Sequence, residues 1–228
     1  MTNSIIPLVT PFTDDQPQVS EVRLARLIRF LLPSQPAGIF VGGDLGEFAS
    51  LTLGERKHVL EIAMREVAGA TSVWTNVTAN TTMMATDMAQ HAAQHGVSGC
   101  VLMPPVYGSF TQSELVQHFR TVAKFGPMQV VIVDPSSQLT QGSRDELSHV
   151  GSVSVSSGRL DEFRVGGLQA SPGSLLSPNN PERAIAAMNE YGAIRVAKAV
   201  LQYRDLDVGP PRSPMSLLPV ETCRELGL

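Results

Sequence analysis

The chain has 228 residues, 17 basic against 21 acidic side chains for a net charge of −4, and 43 % hydrophobic against 17 % charged residues. That length and apolar share suffice for a sizeable core, while a charged fraction below the ~25 % of an average protein, with no basic surplus, excludes a disordered chain and a nucleic-acid partner. No run approaches the ~18 apolar residues of a membrane span, and Met1–Ser4 opens no basic-then-apolar leader, so a cytoplasmic protein with no membrane partner is expected.

Short β-branched or apolar runs predict strands at Ile5–Phe12, Gly38–Gly43, Ser72–Val77, Cys100–Pro105, Gln129–Asp134 and Ser152–Ser157. Their starts lie between 23 and 34 residues apart, room for a strand, a crossover helix and two short loops, so each unit is expected to be right-handed βαβ. Val22, Leu24, Leu27, Ile28 and Leu31 form the apolar stripe of the first helix. Thr52 with Glu55, Thr111 with Glu114 and Ser143 with Glu146 fit the S/T-x-x-E capping box. Met83, Met84 and Met88 have helical spacing and read as core or interface filler. Two further strands, at Arg164–Gly167 and Gly173–Ser177, follow too closely for helices between them. Asn180 before Pro181 caps a last long helix towards Arg204, with a break near Gly192. The expectation is an α/β fold in one domain, 1–228: a (β/α)8 TIM barrel whose outer helices after strands six and seven are shortened or missing, with a short C-terminal helical segment. An open doubly wound sheet is the alternative.

The order of motifs then becomes informative: Pro7-Leu-Val-Thr-Pro-Phe12 on strand one, Gly43-Asp-Leu-Gly-Glu47 after strand two, Asn80-Thr-Thr82, Met103-Pro-Pro-Val-Tyr107 after strand four, Ser156-Ser-Gly158 after strand six and Arg212-Ser-Pro214. This set resembles the dihydrodipicolinate synthase/N-acetylneuraminate lyase family, Schiff-base aldolases on a (β/α)8 barrel. The resemblance implies a strand-six lysine that condenses with a 2-oxo acid, yet Val153-Ser-Val-Ser-Ser-Gly158 aligns Ser154 with it. The lysines present, Lys57, Lys124 and Lys198, fall in helical segments and read as solvated surface groups. The resemblance further implies a Gly-Thr-Thr-Gly-Glu loop that holds the substrate carboxylate through hydroxyls and backbone amides. Here Asp44 and Leu45 replace the threonines, Val133 the proton-relaying tyrosine, and Ser136-Ser-Gln138 stands where an arginine is expected. Tyr107 is kept, explicable by catalysis or by assembly, since in many members this tyrosine reaches the neighbouring subunit.

Read without the family, the strand ends present Thr10, Asp44, Glu47, Asn76, Tyr107, Asp134 and Ser154. With Gly43 and Leu45 they make a candidate site for a small polar ligand, Tyr107 being the candidate catalytic group. Asp44 and Asp134 either receive a cation or amine or cap local backbone; Glu47 reads as a brace for its loop. No cofactor is expected. His91 and His95 have two-histidine spacing without an apparent third ligand, so no metal centre is expected, and Gly42-Gly43 with Gly46 matches no phosphate loop. Cys100 and Cys223 read as reduced thiols outside any mechanism. Two functions stay open: a divergent lyase acting without a Schiff base, or a non-catalytic relative serving as a binding or partner subunit. A homo-dimer or tetramer is expected, because shortened units leave part of the strand layer uncovered.

Overall fold

The apolar runs form six parallel strands: β1 (Thr2–Pro7), β2 (Pro36–Val41), β3 (Ser72–Asn76), β4 (Gly99–Leu102), β5 (Gln129–Val133) and β6 (Val153–Ser156). The intervening amphipathic stretches form the crossover helices α1 (Glu21–Leu31), α2 (Leu53–Val67), α3 (Thr82–Gln94), α4 (Gln112–Ala123) and α5 (Gln141–Ser148). The structure, a computed structural model, describes residues 2–15, 17–125, 128–156, 158–176, 181–219, 221, 222 and 224. A hairpin of β7 (Arg164–Val165) and β8 (Leu168–Ala170) follows, then helices α6 (Gly173–Leu176), α7 (Pro181–Tyr191) and α8 (Ala193–Tyr203).

The sheet order is β6-β5-β4-β3-β2-β1-β8-β7, with β8 parallel to β1 and β7 antiparallel to β8. The edge strands β6 and β7 meet where the Arg164 N–H donates to Ser156 Oγ, 3.3 Å away, so the TIM barrel is nearly closed. The expected reduction after strand six is a single 3-10 turn, Leu160–Glu162; after strand seven it is the tight turn Gly166-Gly167, both glycines at positive φ. Three expectations need correction here. Gly173–Leu176 is helix rather than strand, and the eighth strand is Leu168–Ala170. The seventh strand runs antiparallel, because two residues of turn can only reverse the chain, whereas a parallel return needs a crossover. Helix α5 begins one turn earlier than Ser143, capped by Thr140, whose side chain accepts from the Ser143 amide.

Local chemistry explains the regular part. Thr52 and Thr111 form reciprocal capping boxes with Glu55 and Glu114, each satisfying two otherwise orphaned amides. Leu24, Leu27, Ile28 and Leu31 bury the α1 stripe against the sheet, whereas Val22 is exposed. Met88 is core, Met84 packs against it, and Met83 is exposed. The break at Gly192 separates α7 from α8; Asn180 and Cys223 lie outside the described residues.

Apolar side chains divide between an outer layer, beneath the helices, and the barrel interior. The register Phe40↔Trp74↔Gly99 and Val101↔Val131↔Ser154 puts those residues on the inner face. Gly99 is required there, since a Cβ would meet the Trp74 ring at 2.2 Å. The interior cluster also contains Leu160 and Phe163 from the segment after β6. The fully buried Phe163 ring contacts Phe40 and Trp74 with centroids 5.2 and 5.5 Å apart, burial that contributes about 1.5–3 kcal/mol.

Candidate functional site at the C-terminal mouth of the barrel

Functional groups of a (β/α)8 barrel collect on the loops that leave the C-terminal ends of its strands. The loop after β2 turns on Gly42 (φ 68°) and Glu47 (φ 55°) and is tied to the segment that follows β1 by the Thr10 hydroxyl, which donates to the Gly46 carbonyl at 2.7 Å. The amides of Asp44 and Leu45 consequently point the same way, a pair of donors suited to a carboxylate. They are already engaged: Asp44 N–H donates to Asp161 Oδ1 at 3.1 Å and Leu45 N–H to Oδ2 at 2.7 Å. Gly43 makes this approach possible, for a Cβ there would sit 1.9 Å from Asp161 Oδ1. Asp161 is buried, and its carboxyl is pushed up to about 7 by that burial and by the charge of Asp44, against the pull of the two amides.

Leu160 and Phe163, on either side of Asp161, close the centre of the mouth with apolar surface. Ser154 is half-buried on the inner face of β6, and the lysines of the chain, Lys57, Lys124 and Lys198, lie on α2, at the C-terminal end of α4 and on α8. Beside this plug lies a cavity of about 390 Å³ whose wall includes Asp44, Arg159, Glu162, Asn189 and Arg195. It carries both signs of charge beside apolar surface from Pro172, Met188, Ile194 and Met215.

Glu47 is buried and braces the loop from behind. Its Oε1 lies 2.7 Å from Lys198 Nζ, and its Oε2 accepts from the Arg212 N–H at 2.9 Å. The lysine, expected at the surface, is 0 % exposed on α8. It also donates to the Pro210 carbonyl at 3.0 Å and stands 4.2 Å from the centre of the Phe12 ring. Burial drives its pKa down to about 8 against the attraction of Glu47. The Arg212 guanidinium covers the same ring and pairs with Glu55, whose carboxyl it holds at about 2. This network fastens the C-terminal segment to the β2 loop.

The remaining sequence candidates disperse. Asp134 accepts from the amides of Gln138 and Leu139 at 2.8 and 2.9 Å and pairs with Arg144, so it organises its own loop. Asn76 is buried and accepts from the Thr78 amide at 2.8 Å. Tyr107 is 80 % exposed on the loop after β4. The structure therefore joins Thr10, Gly43, Asp44, Leu45 and Glu47 in one loop system and leaves Asn76, Tyr107 and Asp134 outside it. Sequence reasoning missed four participants. Asp161 and Phe163 carry a signal in hindsight, an apolar and acidic Leu-Asp-Glu-Phe segment directly after strand six; Lys198 carries one as a charge amid Val196–Leu201. Arg56 is the fourth: it is buried, donates to the carbonyls of Asn76 and Thr78 at 2.7 Å each, and is lowered by burial to about 10.

Comparison with known proteins agrees with this architecture. The model of the dihydrodipicolinate synthetase family matches residues 1–141. A 4-hydroxy-tetrahydrodipicolinate synthase of Aquifex aeolicus is 32 % identical over 150 residues, 65 % of this chain and 50 % of its own length. That of Nitratidesulfovibrio vulgaris is 33 % identical over 131 residues, 58 % and 44 % of the two chains. The chain thus spans about half the length of the curated relatives it matches. Among solved structures, the dihydrodipicolinate synthase of Agrobacterium tumefaciens superposes with a TM-score of 0.83 at 18 % identity, covering 99 % of this chain and 96 % of its own. A catalytic-lysine mutant of the Ruminococcus gnavus sialic acid aldolase gives 0.80 at 18 % identity, covering 98 % and 92 %. These likenesses fix the fold, and the family match extends from β1 through the start of α5, short of β6 and the reversed hairpin: the chain belongs to the dihydrodipicolinate synthetase family.

Proposed function

We propose that this family member performs no Schiff-base chemistry and acts as a binding or partner protein, a pseudoenzyme for the aldolase reaction. The observation that carries the reading is the Asp161 carboxylate on the amides of Asp44 and Leu45. In the family resemblance those amides receive the substrate's carboxylate, so an internal acid competes for the same donors. Two features support it further: the resemblance aligns Ser154 with the condensing lysine, and Leu160 and Phe163 occupy the interior into which that lysine would project. A small polar ligand is accommodated by the cavity of about 390 Å³ beside Asp44.

Incubation with pyruvate and borohydride, followed by intact-mass measurement, is expected to leave the chain unmodified. A stoichiometric pyruvyl adduct on a lysine would overturn the proposal. Ser154→Lys alone is expected to remain without pyruvate-dependent turnover, because the amide pair stays engaged and the interior stays filled.

The family resemblance implies assembly, and we take a homo-dimer or tetramer as part of this reading. The side chains of Val106 and Tyr107 on the loop after β4 are 68 % and 80 % exposed, apolar surface of a kind that marks interfaces. Light scattering is expected to return a multiple of 24.4 kDa; a constant monomer mass across concentrations would reject assembly. Among the described residues no helix is long and apolar enough to cross a membrane, and a cytoplasmic location is kept as a proposal.

A further inference from the structure

On the outer surface, where α2 packs beside α3, three side chains converge that none of the preceding chemistry uses. His91 and His95 stand one turn apart at the end of α3, their ring centres 4.3 Å from each other. Glu61 faces them from α2, with Oε1 3.2 Å from His91 Nε2. One ligand atom from each of the three residues lies within 4.8 Å of the other two. The third ligand that the two-histidine spacing lacks in sequence is thus supplied by the neighbouring helix. We propose that Glu61, His91 and His95 form a binding site for a divalent transition-metal ion of the zinc class.

The donor set fits that class. Imidazole suits zinc, copper and nickel, whereas magnesium and calcium take oxygen ligands. Four ligands arranged tetrahedrally at zinc bond lengths of 2.0–2.1 Å stand about 3.4 Å apart. Glu61 and His91 are already at such a separation, and the exposed His95 closes the remainder by moving its own ring. Water completes the fourth position. The rings are also oriented from behind, as metal-ligating histidines are. His95 Nδ1 lies 2.9 Å from the His91 carbonyl and donates to it, which leaves the Nε2 lone pair free. The His91 ring hydrogen-bonds to the backbone of Lys57, and its buried Nε2 faces Glu61 Oε1. Lys57 is drawn aside by its ion pair with Asp87 at 2.7 Å. His58, on α2, is 3.8 Å from the other Glu61 oxygen, too far to occupy it.

The test is calorimetric titration of the whole chain with Zn²⁺, repeated with Mg²⁺. One Zn²⁺ per chain with no measurable Mg²⁺ uptake is expected. His95→Ala removes an exposed ring and is expected to weaken zinc binding by at least about a hundredfold, the upper end of what loss of a supporting partner alone causes. Glu61→Gln, nearly isosteric, is expected to weaken it in the same way, and His149→Ala, at the C-terminal end of α5, to leave it unchanged. Zinc binding that persists undiminished in both His95→Ala and Glu61→Gln, a wild type that takes up no zinc at millimolar concentration, or equal uptake of Mg²⁺ would each overturn the assignment.

Discussion

Replacing Lys198 by methionine is expected to destabilise the protein by about 3–5 kcal/mol, the range for removing one partner of a buried ion pair. The loss comes from Glu47, whose carboxylate is left in a site from which water is excluded. For a domain of this size each kcal/mol moves the melting temperature by about 2–4 °C, so the shift is large. The double variant Lys198→Met/Glu47→Gln is expected to recover most of it. The glutamine oxygen still accepts from Arg212 N–H, and no unpaired charge remains. The pH dependence has a definite sign. The folded-state pKa of Lys198 is about 8 against an ordinary 10.5. Between those values the unfolded chain keeps a proton that the folded chain has released, so stability from this group rises with pH, by up to ~1.4 kcal/mol per unit. Denaturant melts at pH 7 to 10 should show that rise in the wild type and its absence in Lys198→Met. A single variant within 1 kcal/mol of wild type at pH 7, or one that retains the rise, would show that the pair is solvated and carries no such role.

That pair also marks where sequence stops being legible. A capping box is visible because both partners lie within four residues, and strands one to six are visible because each run is bounded by helix signals of its own. Lys198 has its determining partner far away in the sequence, at Glu47, and nothing local distinguishes it from a solvated lysine except the apolar residues around it. The misplacement of the last strands has a different cause. Arg164-Val-Gly-Gly-Leu-Gln-Ala170 contains a Gly-Gly hairpin turn, but a strand carried through Gly167 hides it. Gly173-Ser-Leu-Leu176 is an apolar run too short for periodicity to separate helix from strand. In the candidate site, the loop residues were identifiable by their order in the chain, whereas Asp161 was not, because a carboxylate that accepts two distant amides has no spacing to recognise.

Asp161→Ala is expected to change both stability and ligand preference, and the two changes are linked through the same atoms. Removal of the carboxylate leaves the amides of Asp44 and Leu45 without an acceptor, at about 1–3 kcal/mol for each buried donor. The size of the loss depends on pH. Asp161 titrates near 7 in the folded chain and near 3.8 when unfolded, so between these values the folded state holds a proton that the unfolded state has lost, and wild-type stability falls as pH rises, by up to ~1.4 kcal/mol per unit. The variant lacks this decline; its deficit against wild type therefore shrinks as the pH rises from 5 to 8. The vacated amide pair should then accept an external carboxylate. Formate or acetate is expected to raise the melting temperature of Asp161→Ala in a saturable, concentration-dependent way, with chloride at equal ionic strength as the control and the wild type unresponsive. Pyruvate should act similarly without forming an imine, since no lysine is added. A variant that ignores formate while keeping its fold would show that these amides do not constitute a carboxylate site, and a wild type that responds as strongly as the variant would show that Asp161 is no obstacle to one.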